Sequence, residues 1–146
     1  MKFIFVITVI GLLAGSTPSQ EPRPVDGGPR WSEHGNVRWS DERSLLDNLA
    51  AQFRKSRNQV IYFLIYAGID SCKDEARLRA LRARKYLVQR HSIPPRSIRW
   101  RDGGFRTELS FEIWLLRQDQ PLPESSTFLT IDPAAVKSQR NCKSIN

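Results

Sequence analysis

Residues 60–67 read Val-Ile-Tyr-Phe-Leu-Ile-Tyr-Ala, an unbroken apolar run rich in β-branched and aromatic side chains and closed by Gly68. A run of this length, bounded by a turn residue, is the pattern of a strand buried on both faces. The residues around it must supply the rest of a sheet and its cover. Leu45, Leu46, Leu49, Ala50 and Phe53 recur at three and four residues, which makes one apolar helix face. Ser40 is placed to cap that helix, Asp41 and Glu42 fall in its first turn, where the dipole favours carboxylates, and Asn58 ends it. A second helix is expected over 73–91, with Ala76, Ala80, Ala83 and Leu87 as its stripe and Leu81 and Val88 widening it. Alanines at this spacing let a helix lie close to a sheet. Pro94 and Pro95 stop it, and Ile93 is expected to pack back.

Shorter signals complete the set. Val37-Arg38-Trp39 alternates as a short first strand, and residues 97–101 form another. Asp102-Gly103-Gly104 reads as a turn. Over 109–116, Phe111, Ile113 and Leu115 share one strand face, and Ser110, Glu112 and Trp114 share the other. The order β-α-β-α-β-β predicts an α/β (α+β) fold, a two-layer sandwich with two helices packed on a mixed four-stranded sheet.

The chain has 146 residues, enough for one domain and short of two ordinary cores. Lys2 followed by an apolar stretch over 3–14, then Ala14-Gly15-Ser16, has the form of a secretory signal peptide over residues 1–16. No other stretch approaches the roughly 20 apolar residues of a membrane span, so none is expected after cleavage. Residues 17–30 hold four prolines and Gly27-Gly28, a flexible linker. The domain is expected over 31–120, followed by a proline- and serine-containing tail, 121–146, that begins with Pro121 and Pro123. Cys72 and Cys142 are the only cysteines, an even count in a chain addressed to an oxidising space. They are expected to pair and to tie the tail back. A redox or metal role lacks its signature, since there is no C-x-x-C and His34 and His91 lie far off.

Setting aside residues 1–16 and their single lysine leaves 22 cations against 15 carboxylates, a net charge of +7. Much of it concentrates on the second helix, at Arg77, Arg79, Arg82, Arg84 and Lys85, with Arg90 beyond. Such a run is either a solvated face, with Glu75 and Arg79 paired at i,i+4, or a surface for anionic polymers. Export and the lack of a recognisable motif argue against nucleic acid. Residues 97–106 interleave arginines with Trp100 and Phe105, read here as an ordinary strand and turn rather than a sugar-stacking patch. Trp31 and Trp39 beside Glu33 and His34 make a weak site signal. No G-x-S-x-G, H-E-x-x-H or phosphate loop occurs, and Glu108 with Glu112 is the one carboxylate pair placed to share a strand face.

The succession Val37-Arg38-Trp39-Ser40-Asp41, the helix face of Leu46 to Phe53, the apolar strand, Arg79-Ala80 with Tyr86-Leu87, Ile93, Arg96-Ser97-Ile98 and the glycine turn resembles the OmpA-like domains. These are peptidoglycan-associating C-terminal modules of bacterial outer-membrane proteins, and the resemblance covers about residues 36–116. The chain is also similar to small exported bacterial proteins with the same Arg-Ala, Tyr-Leu-Val, Asp-Gly-Gly and Glu-x-Trp order. OmpA-like modules hold the diaminopimelate of the stem peptide with an aspartate after the second strand and an arginine in the next helix. The resemblance puts Arg79 in the arginine's place, by its spacing to Tyr86-Leu87, and Asp70 near the aspartate's. It departs from the family in a shorter loop between Gly68 and Arg79, and in Ala76-Arg77-Leu78 where Asn and Leu-Ser landmarks stand.

The expectation is a non-catalytic exported envelope protein, periplasmic or secreted, without cofactor or metal. Peptidoglycan or another anionic envelope polymer is its expected partner. The alternative is a protein-interaction module in the same fold that has lost wall binding. A small wall-directed hydrolase is a lower reading.

Overall fold

The computed structural model describes residues 29–126, 130–136 and 141–142; the expected signal peptide and nearly all of the linker lie outside them. Strand β1 is Arg30–His34, helix α1 Trp39–Lys55, β2 Gln59–Gly68, α2 Glu75–His91, β3 Ile98–Arg106 and β4 Ser110–Arg117, with a single 3-10 turn, Pro95–Ser97, before β3. The sheet order is β1-β4-β2-β3. β2 and β3 run parallel through the α2 crossover, and β4 is antiparallel to both β1 and β2. Two helices on a mixed four-stranded sheet is the architecture expected from the order of the elements.

The apolar run lies where its composition requires. β2 is hydrogen-bonded on both edges, and every residue from Val60 to Gly68 is buried. One face carries Ile61, Phe63 and Ile65, joined by Phe111 and Ile113 of β4, under Leu46, Leu49 and Ala50 of α1 and Ala76, Ala80, Ala83 and Leu87 of α2. The other carries Tyr62, Leu64 and Tyr66 with Trp114 and Leu116. Among the described residues no helix covers this second face. The segment after β4 crosses it instead: the Tyr62 hydroxyl donates to the Pro123 carbonyl at 3.2 Å, and the Ser126 N–H donates to the Tyr66 hydroxyl at 3.1 Å. Farther on, Ile131 bridges to Phe105 on the outer edge of β3, its N–H 2.7 Å from the Phe105 carbonyl.

Two local expectations are corrected. The first strand is Arg30–His34, not residues 37–39. Val37 lies in the connection, Arg38 takes the N-cap position without a side-chain cap, and Trp39 and Ser40 are already helical. Trp39 starts the helix because its ring is wanted there: it meets Tyr86 of α2 edge-on at 5.5 Å. The helix also stops at Lys55, with Asn58 beyond it in the left-handed region. The second correction is at Asp102-Gly103-Gly104. β3 passes straight through these residues and turns only at 107–109. Gly103 is the extra residue of a bulge, opposite the step from Ile65 to Tyr66. A Cβ there would lie 2.5 Å from the Tyr66 ring, and Gly104 has φ +93°. The glycines admit an aromatic ring and do not reverse the chain.

Cys72 and Cys142 form a disulfide, with Cα atoms 5.0 Å apart, inside the usual range. Beside it, Lys73 makes an isolated parallel bridge with Asn141. Among the described residues, no helix is long and apolar enough to cross a membrane.

Candidate functional site

β2 ends at Gly68 and α2 begins at Glu75, so residues 69–74 form the loop at the carboxyl end of the central strand. In a sheet with parallel strands this is where ligand crevices form. The loop is held from within. Gly68 N–H donates to Ser71 Oγ at 2.7 Å, Ser71 N–H to the Gly68 carbonyl at 3.0 Å, and Cys72 N–H to Glu75 Oε2 at 3.1 Å. Gly68 has no room for a side chain, because a Cβ would come within 2.9 Å of the Leu109 backbone nitrogen. The turn 107–109 therefore lies close against the loop, and a cleft of about 260 Å³ remains between them, walled by Asn36, Asp70, Glu75 and Glu108. A wider one of about 550 Å³ adjoins it across the same turn and reaches Glu33, His34 and Arg106.

Asp70 and Arg79 come to the same end of the sheet, but not as equals. Asp70 is exposed on the cleft wall. Arg79 is only 3% exposed and stands behind that wall. Its Nε donates to Glu75 Oε1 at 2.8 Å and its Nη2 to Asn36 Oδ1 at 2.6 Å. Thus Asn36 and Glu75, which line the cleft, are the two residues that hold the guanidinium. On its inner side Arg79 Nη1 lies 3.8 Å from Glu42 Oε2, and neither Nη1 nor Glu42 Oε1 makes a hydrogen bond among the described residues. Glu42 is wholly buried and takes Arg82 Nη2 at 2.5 Å. The Arg82 guanidinium also lies 4.4 Å from the Trp39 ring centroid.

The expected basic surface therefore divides. Arg79 and Arg82 turn inward to join the two helices, which corrects the placement of Arg82 on an outer face. Arg77 and Lys85 are exposed, and Arg84 is half-buried. Glu75 and Arg79 do pair at i,i+4, but almost out of solvent rather than on a solvated face. Glu42 and Asn36 carry no site signal in the sequence, and Glu108 stands out there only as a strand-face partner of Glu112. Their only link to the site is tertiary, across up to 43 residues of sequence in the case of Asn36 and Arg79.

Carboxylates of Asp70, Glu75 and Glu108 wall the cleft beside Asn36, Ser71 and Thr107, and the backbone N–H groups of Gly68, Ser71 and Cys72 are spent inside the loop. Such a wall suits an ammonium or another hydrogen-bond donor, while an anion reaches Arg79 only by displacing Asn36. Among the described residues no group of His, Cys, Asp and Glu is arranged to hold a metal ion.

Glu108 and Glu112 do not form a carboxylate pair for catalysis. Glu108 sits on the exposed turn. Glu112 is buried and joined to Arg106 at 3.1 Å and Arg30 at 3.2 Å. Arg106 reaches it across Tyr66, with its guanidinium 3.4 Å from the ring centroid, and also donates to Ser110 Oγ, which in turn donates to Glu33 at 2.6 Å. Burial pushes the Tyr66 hydroxyl above its ordinary pKa. His34 stacks on Phe111 at 4.9 Å with Nδ1 on the Gly35 carbonyl, and Trp31, Trp39 and Trp100 pack against the helix-side core. These are packing roles. No family model, no curated protein and no solved structure matches the chain.

Proposed function

We propose that this is a non-catalytic, exported cell-envelope protein that uses the cleft at the end of β2 to hold the amino group of a wall peptide. The observation that carries the reading is the acceptor wall of Asp70, Glu75 and Glu108, with the Arg79 guanidinium directly behind Asn36. A diamino acid of a peptidoglycan stem peptide carries an ammonium and a carboxylate on one carbon. The wall takes the first, and Arg79 takes the second in place of Asn36 Oδ1. This pairing of roles is also what the OmpA-like resemblance implies for Asp70 and Arg79. Export is supported by the apolar leader and by the Cys72–Cys142 disulfide, a bond that persists in oxidising compartments. The exposed Arg77 and Lys85 add attraction toward anionic wall polymers.

Co-sedimentation with purified peptidoglycan tests it. The wild-type protein is expected in the pellet, released by free diaminopimelate. Asp70→Asn should weaken retention by about tenfold, the size of one charge-assisted hydrogen bond. Wild-type protein left in the supernatant would remove the proposal, and retention unchanged in both Asp70→Asn and Arg79→Ala would move binding to another surface.

A further inference from the structure

A second surface lies on the outer side of α2, away from the cleft. Leu81, Val88 and Pro95 form the apolar floor of a groove of about 320 Å³ between α2 and the turn that precedes β3. Leu81 is 37% exposed, the one large hydrophobic side chain of α2 so open to solvent. The rim is cationic: Arg84 and Lys85 line the groove, Arg77 stands one helical turn before Leu81, and Arg96 is exposed beside Pro95. No carboxylate lines it.

Arg84 makes this more than a solvated charge run. Its side chain is half-buried, its Nε is buried without a hydrogen-bond partner among the described residues, and the hydrogen bond seen for it there is a long one of 3.5 Å from Nη2 to the Pro95 carbonyl. The two arginines on the inner side of the same helix are, by contrast, each paired with glutamate. With Nε closed off from solvent and only a long bond at Nη2 among the described residues, the outer Nη edge of this guanidinium beside an apolar floor is suited to a carboxylate.

We infer that this groove docks an acidic segment of a partner protein, with an apolar side chain seated among Leu81, Val88 and Pro95 and carboxylates on Arg84 and Lys85. Charge complementarity selects this occupant. A second copy of a chain with net charge +8 is repelled. A lipid surface calls for a row of protruding apolar side chains, and Leu81 is the one large hydrophobic side chain of α2 that is open to solvent. Helix-side grooves with an apolar floor and charged rim read an anchor residue flanked by complementary charge. The inference is independent of wall binding in the cleft.

Fluorescence anisotropy with a labelled peptide Glu-Glu-Leu-Glu-Glu-Leu-Glu-Glu tests it, beside one with serine for leucine and one with lysine for glutamate. The acidic leucine peptide should bind, and more tightly at about 50 mM than at about 300 mM salt, as a charge-led contact does. Replacing its leucines should cost at least about fivefold, the loss expected of a buried anchor. Arg84→Glu and the fully surface variant Lys85→Glu should each weaken binding by about tenfold, while Arg99→Glu on β3 should leave it unchanged. Absence of binding overturns the inference. So does an equal loss in Lys85→Glu and Arg99→Glu, which would mean attraction to the molecule's charge at large. Binding of phosphatidylglycerol vesicles that the acidic peptide cannot displace would assign the groove to lipid instead.

Discussion

Glu42 is fully buried, and two arginines from the other helix converge on it. A carboxylate in that position is tolerated because it is compensated, and removing it takes away the acceptor of Arg82 Nη2 and the carboxylate beside Arg79 Nη1. Glu42→Ala should therefore lower the free energy of unfolding by about 3 kcal/mol, measured by urea denaturation, well beyond the loss of a few methylene groups. Sequence spacing shows Glu75 beside Arg79 because both lie on one helix. It is silent on Glu42 and Arg82, which meet across 40 residues. The same limit hides Asn36, whose amide is the group between Arg79 and solvent. Gly103 illustrates the converse. A glycine pair after a strand is a turn by local chemistry, and only the Tyr66 ring beside it explains why the strand continues.

At the scale of elements, periodicity was a reliable guide wherever burial is one-sided or complete. β2, α2 and β4 lie where their apolar spacing puts them, because each presents a regular face to the core. β1 escaped that reading because it is an edge strand whose residues are exposed or half-buried, so it has no apolar alternation to show. The packing of elements also sets the titration of the chain's three tyrosines. Burial raises the hydroxyl pKa of Tyr62 and Tyr66 on the far face of β2. Tyr86 is raised chiefly by its hydrogen bond to Asp47, which links α2 to α1 at 2.8 Å. All three native values thus lie above the ordinary 10.0. A group raised in this way contributes stability that is whole below its unfolded pKa and lost as the pH climbs through the native value. Ultraviolet titration should show less tyrosinate in the native protein at pH about 10 than in urea, where half should be ionised, and stability should fall as the pH rises above that point.

For the molecule as a whole, the disulfide joins positions 70 residues apart and fastens Cys142 beside the start of α2. Its worth lies mainly in the unfolded chain, whose freedom it restricts, at about 4 kcal/mol for a loop of this length. Unfolding by guanidinium with and without reductant should differ by an amount of that order, and Cys142→Ser should match the reduced protein. Cysteine count and compartment made this pairing legible. They gave no sign that residues 121–126 cross the second face of the sheet, since irregular backbone has no period to read.

That closure fixes an order of events. Every described strand of the sheet is complete by Arg117, yet the hydroxyls of Tyr62 and Tyr66 meet their backbone partners at Pro123 and Ser126 only after residue 120. A chain emerging amino-end first, from a ribosome or through a translocation channel, passes through a stage with its helices docked and an aromatic sheet face bare. Such surface is what holding chaperones grip and what nascent chains aggregate through. The segment after β4 is thus the one that ends the dangerous interval, and the disulfide beyond it then makes the ending hard to reverse.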